Sequence, residues 1–190
     1  MQRKVRFDPD RIAYYEKAGW EAYYNRQWGR VLALMVGLNR EQFHMPWWVA
    51  VAAALDTVRA AKAFAPIDND IPTATRHLVN YYAKARRYAG ITAGAEDLAA
   101  LEMDYWVVHR QLAVRRQQNH ADSDIEPMVQ SFARLHAGLF DATVGAMRPS
   151  AEARALAAVA VDRITGKYST DVAADWREVE RYLAAAYRSL

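Results

Sequence analysis

The chain of 190 residues contains no cysteine. Disulfides, thiolate metal ligands and a cysteine nucleophile are thereby excluded. Glycine and proline are scarce, at 8 and 6 residues, so long stretches run without a helix breaker. No segment alternates apolar and polar residues with period two over a useful length, which leaves no candidate strand. The longest uncharged apolar run, "MPWWVAVAAAL" at 45–55, is too short to span a bilayer, which takes about 20 residues. The amino-terminal "MQRKVRFDPD" is charged and has no apolar core of secretory type. Gly-rich phosphate loops, Gly-x-Ser-x-Gly elbows and His-Glu-x-x-His helices are absent too. The expectation is a cytoplasmic protein without a membrane span.

What is present describes a helical globule. Hydrophobic residues make up 53% and charged residues 25%, a folded rather than a disordered composition. Alanine and arginine are abundant, and both favour helix. The net charge of +3, from 25 basic and 22 acidic residues, is mild. The basic clusters "KARRY" at 84–88 and "VRR" at 114–116 sit near helix C-termini, where the helix dipole favours cations. A nucleic-acid partner would call for more charge on one face and a known module, so none is expected.

Caps and breakers divide the chain into seven or eight helices. "DPDR" offers Asp8 as N-cap and Pro9 in the first turn of a helix reaching about Arg26. A second runs from about Gln27 to before Pro46, and a third from Pro46 to before Pro66. A fourth spans about Thr73 to Tyr88 and is closed by Gly90. A fifth runs from about Ala95 to Gln118. "SDIE" at 123–126 reads as a capping box for a sixth. Ser150 is the expected cap of a seventh that ends near Gly166, and Ser169 or Thr170 that of an eighth reaching almost to Leu190. The short connections favour antiparallel neighbours. The fold class expected is a single all-α domain over residues 1–190, built round a buried central third helix whose "WWVAVAAAL" is apolar nearly all round.

Polar residues written into apolar stripes are the candidates for function. With Tyr105 at the centre of the fifth helix, Leu98, Leu101, Val108 and Leu112 form its apolar stripe. On the same wheel His109 falls ~40° and Glu102 ~60° from centre. In the sixth helix His136 falls ~40° from Phe132, and in the fourth His77 ~40° from Tyr81. A buried Glu is costly unless paired or bound to a cation. Imidazole and carboxylate together suit Zn, Mn or Fe, and helical bundles build such sites in their cores. The reading is a small-molecule site with Glu102 and His109 in acid–base roles, or a divalent metal held by Glu102, His109, His136 and His77. The alternative is a non-catalytic, oligomeric interaction protein in which the same residues form a structural network.

Other features weigh less. "EQFH" holds Glu41 and His44 at Glu-x-x-His spacing, the half-motif of di-iron carboxylate bundles. It falls opposite the stripe Trp28, Val31, Leu32, Met35, Leu38, and no second copy exists. The Glu102-x6-His109 spacing resembles one found in haem-oxygenase-like dimetal oxidases, which are all-α. That resemblance implies a later His/Asp/His cluster, but the positions after His136 hold Phe140 and Thr143. "DND" at 68–70 could bind a cation, although Asp70 also suits a helix cap. Tyrosines, 11 in all, suit core and rim packing. Trp20 and Tyr24 of the first helix are candidates for the interface of a homodimer.

Overall fold

Asp8 opens the first helix as expected: its Oδ1 accepts the N–H groups of Asp10 (3.0 Å) and Arg11 (3.3 Å). The computed structural model describes residues 7–119 and 124–190. Among these it forms eight helices and no strand: α1 (Pro9–Tyr24), α2 (Trp28–Phe43), α3 (Trp47–Phe64), α4 (Ile71–Ala89), α5 (Ala95–Asn119), α6 (Glu126–Phe140), α7 (Arg148–Thr165) and α8 (Val172–Arg188). The all-α class expected from the sequence is the one observed. No helix of the described residues is long and apolar enough to cross a membrane.

Local chemistry explains several of the ends. Asp70 caps α4 by accepting from Thr73 N at 3.0 Å, and Gly90 ends it in the left-handed region at φ 62°, where glycine carries no Cβ penalty. Two expected boundaries move and one is untested. Ser123 of the capping box lies outside the described residues. Helix α7 begins at Arg148, so Ser150 is not its cap. Ser150 is instead buried inside the first turn. Helix α8 is capped by Asp171, whose Oδ1 accepts from Ala174 N at 2.9 Å, and not by Ser169 or Thr170.

The helices close into a ring. Each packs against its neighbours in sequence, and α8 returns to pack against α1. Ion pairs and hydrogen bonds fix several registers: Lys84–Asp56 between α4 and α3, Tyr82–Glu102 between α4 and α5, Arg163–Asp175 between α7 and α8. Helix α6 lies across the start of α7, for both Glu126 and His136 reach that helix's first turn. Apolar side chains fill the joints in four clusters. The largest runs from Phe43 through Leu78 and Leu98 to Leu135. A second joins α1, α7 and α8 around Val179 and Leu183. Alanines buried to 0% exposure, among them Ala13, Ala50, Ala60, Ala85 and Ala157, let neighbouring helices approach closely.

Helix α3 is not the buried centre that its composition suggests. It packs against α2 and α4 and turns its other face outward. Ala50, Ala53, Ala54, Ala60 and Phe64 are buried, while Trp47 and Trp48 are 61% and 63% exposed. An apolar face with no partner looks the same in sequence as one inside a core. Helix α2 is likewise rotated from expectation: Val31, Leu34 and Leu38 are buried, and Trp28 is exposed and packs edge-on to Tyr23.

The cap reassignment has a direct test. Asp171→Ala is expected to lower unfolding free energy by about 1 kcal/mol, and Thr170→Ala to leave it nearly unchanged, as read by urea denaturation.

Candidate functional site

The inward side of α5 carries the two residues that the helical wheel singles out. Glu102 accepts hydrogen bonds from Tyr82 Oη at 2.8 Å and from Trp106 Nε1 at 2.8 Å. Both donors are neutral. Burial pushes the Glu102 carboxyl above the ordinary carboxylate range, against the opposing pull of these two hydrogen bonds and of the Arg154 charge. By surface area Glu102 is only half-buried. It therefore sits deep, and water still touches it. Tyr105, one turn along, is also half-buried and held well above the normal phenol range, first of all by burial.

Two turns further, His109 offers Nε2 to Asp162 Oδ1 of α7 at 2.9 Å. The other carboxylate oxygen, Oδ2, accepts from Arg116 Nη1 at 2.6 Å. Asp162 and Arg116 are buried, at 4% and 2% exposure, while the His109 side chain keeps 25%. A partly open imidazole whose ring is oriented by an enclosed carboxylate is a proton-handling arrangement. Here the carboxylate's charge is already matched by Arg116, whose Nε and Nη2 are buried without an acceptor.

A second enclosed ion pair of the interior is one that the wheel did not single out. Arg154 of α7 donates Nη1 to Glu16 Oε2 of α1 at 2.8 Å, and Nη2 to Glu16 Oε1. Tyr187 Oη of α8 donates to Glu16 Oε2 at 2.6 Å, and Arg154 Nη1 also reaches Tyr187 Oη at 2.9 Å. Burial alone would lower the Arg154 pKa, but the Glu16 charge, with the Tyr187 hydroxyl beside it, outweighs it and holds the guanidinium charged. Its carbon lies 5.0 Å from the centre of the Phe132 ring. Phe132 packs 4.3 Å from Tyr105, and Tyr105 lies parallel to His109 at 6.1 Å. Arginine, two aromatic rings and imidazole thus follow one another across the interior.

His136 and His77 stand apart from Glu102 and His109. His136 is 3% exposed and shares a 3.0 Å hydrogen bond with Ser150 Oγ through Nδ1. Burial, helped by the Arg154 charge, holds it well below the ordinary imidazole value and so uncharged. His77 is half-buried on α4, and its Nδ1 is buried without a hydrogen-bond partner. Seven residues along a straight helix amount to about 10 Å, so Glu102 and His109 face different surroundings. No group of three or more His, Asp and Glu side chains among the described residues is placed to hold a metal ion. The lesser candidates lie elsewhere. Glu41 pairs with Arg11 at 3.2 Å, and His44 is an exposed left-handed C-cap.

No family model matches the chain, and no curated protein or solved structure matches it either.

Arg154, Asp162 and Glu16 were legible in principle. In α7 Arg154 lies three residues after buried Ala151 and four before buried Ala158, and Asp162 four beyond that. The same wheel, laid on α7, finds both. Glu16 sits likewise four residues after Ile12 on the buried face of α1.

Removing one partner of the enclosed pair leaves a charge stranded. Arg154→Met is expected to cost about 3–5 kcal/mol in urea unfolding, and Glu16→Met added to it to restore part of that loss. His136 gives a pH signature. Its imidazole is neutral when folded but takes a proton near the ordinary value of about 6.5 when unfolded. Its contribution to stability is therefore present above that pH and lost as pH falls toward the depressed folded value. Melting temperature measured against pH is expected to drop more steeply below about 6.5 in the native chain than in His136→Asn.

Proposed function

We propose that the inward face of α5 is a small-molecule site in which Glu102 and His109 take and give protons. One observation carries the reading. Glu102 lies deep, has only neutral hydrogen-bond donors, and is still touched by solvent. Enclosing a carboxyl without a cation destabilises the fold, and such a cost is retained where the group has a task. The buried acids differ: Glu16 is matched by Arg154, Asp56 by Lys84, Asp162 by Arg116 and Asp175 by Arg163. Glu102 is left as the acid with no cation bonded to it, set among Tyr82, Tyr105 and Trp106. Aromatic faces around a carboxylate suit an amine or other organic cation.

The acid–base form of this reading is favoured over a Zn, Mn or Fe site. His136 is engaged with Ser150, and Glu102 and His109 turn to separate partners. A cytoplasmic homodimer belongs to the same reading. Tyr14, Tyr23, Tyr24 and Trp28 are exposed on α1 and at the start of α2, and aromatic surface of this kind is enriched at subunit interfaces.

Glu102→Gln separates a working site from a structural network. The Glu102 carboxyl stays protonated in the fold at pH values where the unfolded chain has already lost that proton. Its stability contribution is full below the unfolded value and is lost as pH rises through the folded one. Glu102→Gln is expected to melt at or above the native temperature, with the advantage growing as pH rises from about 4.5. In thermal-shift measurements, small aromatic amines and quaternary ammonium compounds are expected to raise the melting temperature of the native chain and not of Glu102→Gln. If Glu102→Gln instead melts several degrees lower at every pH, and no amine shifts the native chain, the residue serves structure alone.

A further inference from the structure

We propose that the outward face of α3, together with the cations of α4, docks the protein on an anionic lipid surface. Trp47 and Trp48 open α3 with exposures of 61% and 63%, their rings edge-to-face at 6.4 Å. Leu55 and Val58 continue the exposed apolar line, with Val51 half-buried between them and the indoles. Indoles are the side chains most at home between headgroups and acyl chains. Two of them at one end of an outward apolar stripe are costly to leave in water.

The two helices of this face are rich in cations, and the acids Asp68 and Asp70 are confined to the turn between them. Helices α3 and α4 contain Arg59, Lys62, Arg76, Lys84, Arg86 and Arg87 against a single acid, Asp56. That acid is buried and already held by Lys84 at 2.6 Å. Helix α4 has no acidic residue at all. These two helices carry more positive charge than the net +3 of the whole chain, so the remainder is net negative. Arg76, Asn80, Ala83 and Arg87 form one exposed face of α4, beside α3 in the ring. An apolar, indole-bearing stripe flanked by cations is the pattern of a helix lying in the headgroup layer of an acidic membrane. A nucleic acid would be met by the cations but has no use for Leu55 and Val58. A second copy of the chain would bring the exposed cations Arg59, Lys62, Arg76 and Arg87 against their own like.

The experiment is co-sedimentation of the full chain with vesicles of phosphatidylcholine alone and of phosphatidylcholine mixed with phosphatidylserine. Binding is expected only to the mixed vesicles, released by salt, with tryptophan fluorescence quenched by brominated lipid. Arg76→Gln and Arg87→Gln are each expected to weaken binding about fivefold, and Trp47→Ser with Trp48→Ser together by roughly tenfold or more. Circular dichroism checks that each variant keeps its helix content; if the tryptophan variant does not fold, the two arginine variants decide. Absence of binding to the mixed vesicles, equal binding to both compositions, or tryptophan variants that bind like the native chain overturns the proposal. So does retention on heparin without vesicle binding, which would assign the face to an acidic macromolecule, or a dimer that the tryptophan variant dissociates.

Discussion

One enclosed ion pair, Glu16 with Arg154, ties the beginning of the chain to its end. Glu16 belongs to α1, Arg154 to α7, and Tyr187 of α8 donates to the same carboxylate. The three side chains meet where the ring of helices closes. Two charges taken out of water cost several kcal/mol each, and only close, well-directed hydrogen bonds offset that. The pair therefore adds little net stability while penalising every arrangement in which α1, α7 and α8 do not converge. Its effect is to make closure specific: an open ring would leave a carboxylate or a guanidinium enclosed and unmatched.

The rest of the interior is arranged around that fixed charge. Arg154 faces Phe132, Phe132 packs on Tyr105, and Tyr105 lies in register with His109. The field of Arg154 pulls the pKa of both Glu102 and His136 downward, the first toward the charged form and the second toward the neutral one. Helix α5 is the shared wall. It hydrogen-bonds to α4 through Glu102 and to α7 through His109 and Arg116. Polar residues are correspondingly mixed into its apolar stripe, since it has partners on several sides.

Helix number, order and most boundaries were legible because caps, prolines and glycines act locally. Asp8, Asp70 and Gly90 do what their neighbours dictate. Boundaries set by tertiary contact were not. Ser150 looks like a cap, but α6 lies across that turn and His136 takes its hydroxyl. The outward turn of α3 escaped for a related reason. Periodicity reports which residues share a face, and Trp48, Val51 and Leu55 do share one, but it is silent on whether another helix covers that face. At the site, the wheel located Glu102 and His109 because each interrupts an apolar stripe of its own helix. It suggested that four such residues converge, but their partners lie on other helices, and pairing across the ring cannot be read from any one segment. Glu102 finds Tyr82 and Trp106, His109 finds Asp162, and His136 finds Ser150.

The 171 residues that separate Glu16 from Tyr187 also set an order of events during synthesis. A ribosome adding 5–20 residues per second needs roughly ten to thirty seconds to make that stretch. Through that interval Glu16 has no partner from α8, and until α7 has emerged α1 can pack only on α2. Neighbouring helix pairs can form as they emerge, because their contacts are local, whereas the closing joint waits for the last helix. The face of α1 that carries Ile12, Ala13 and Glu16 is thus open to chaperones or to a second nascent chain until Tyr187 has left the ribosome.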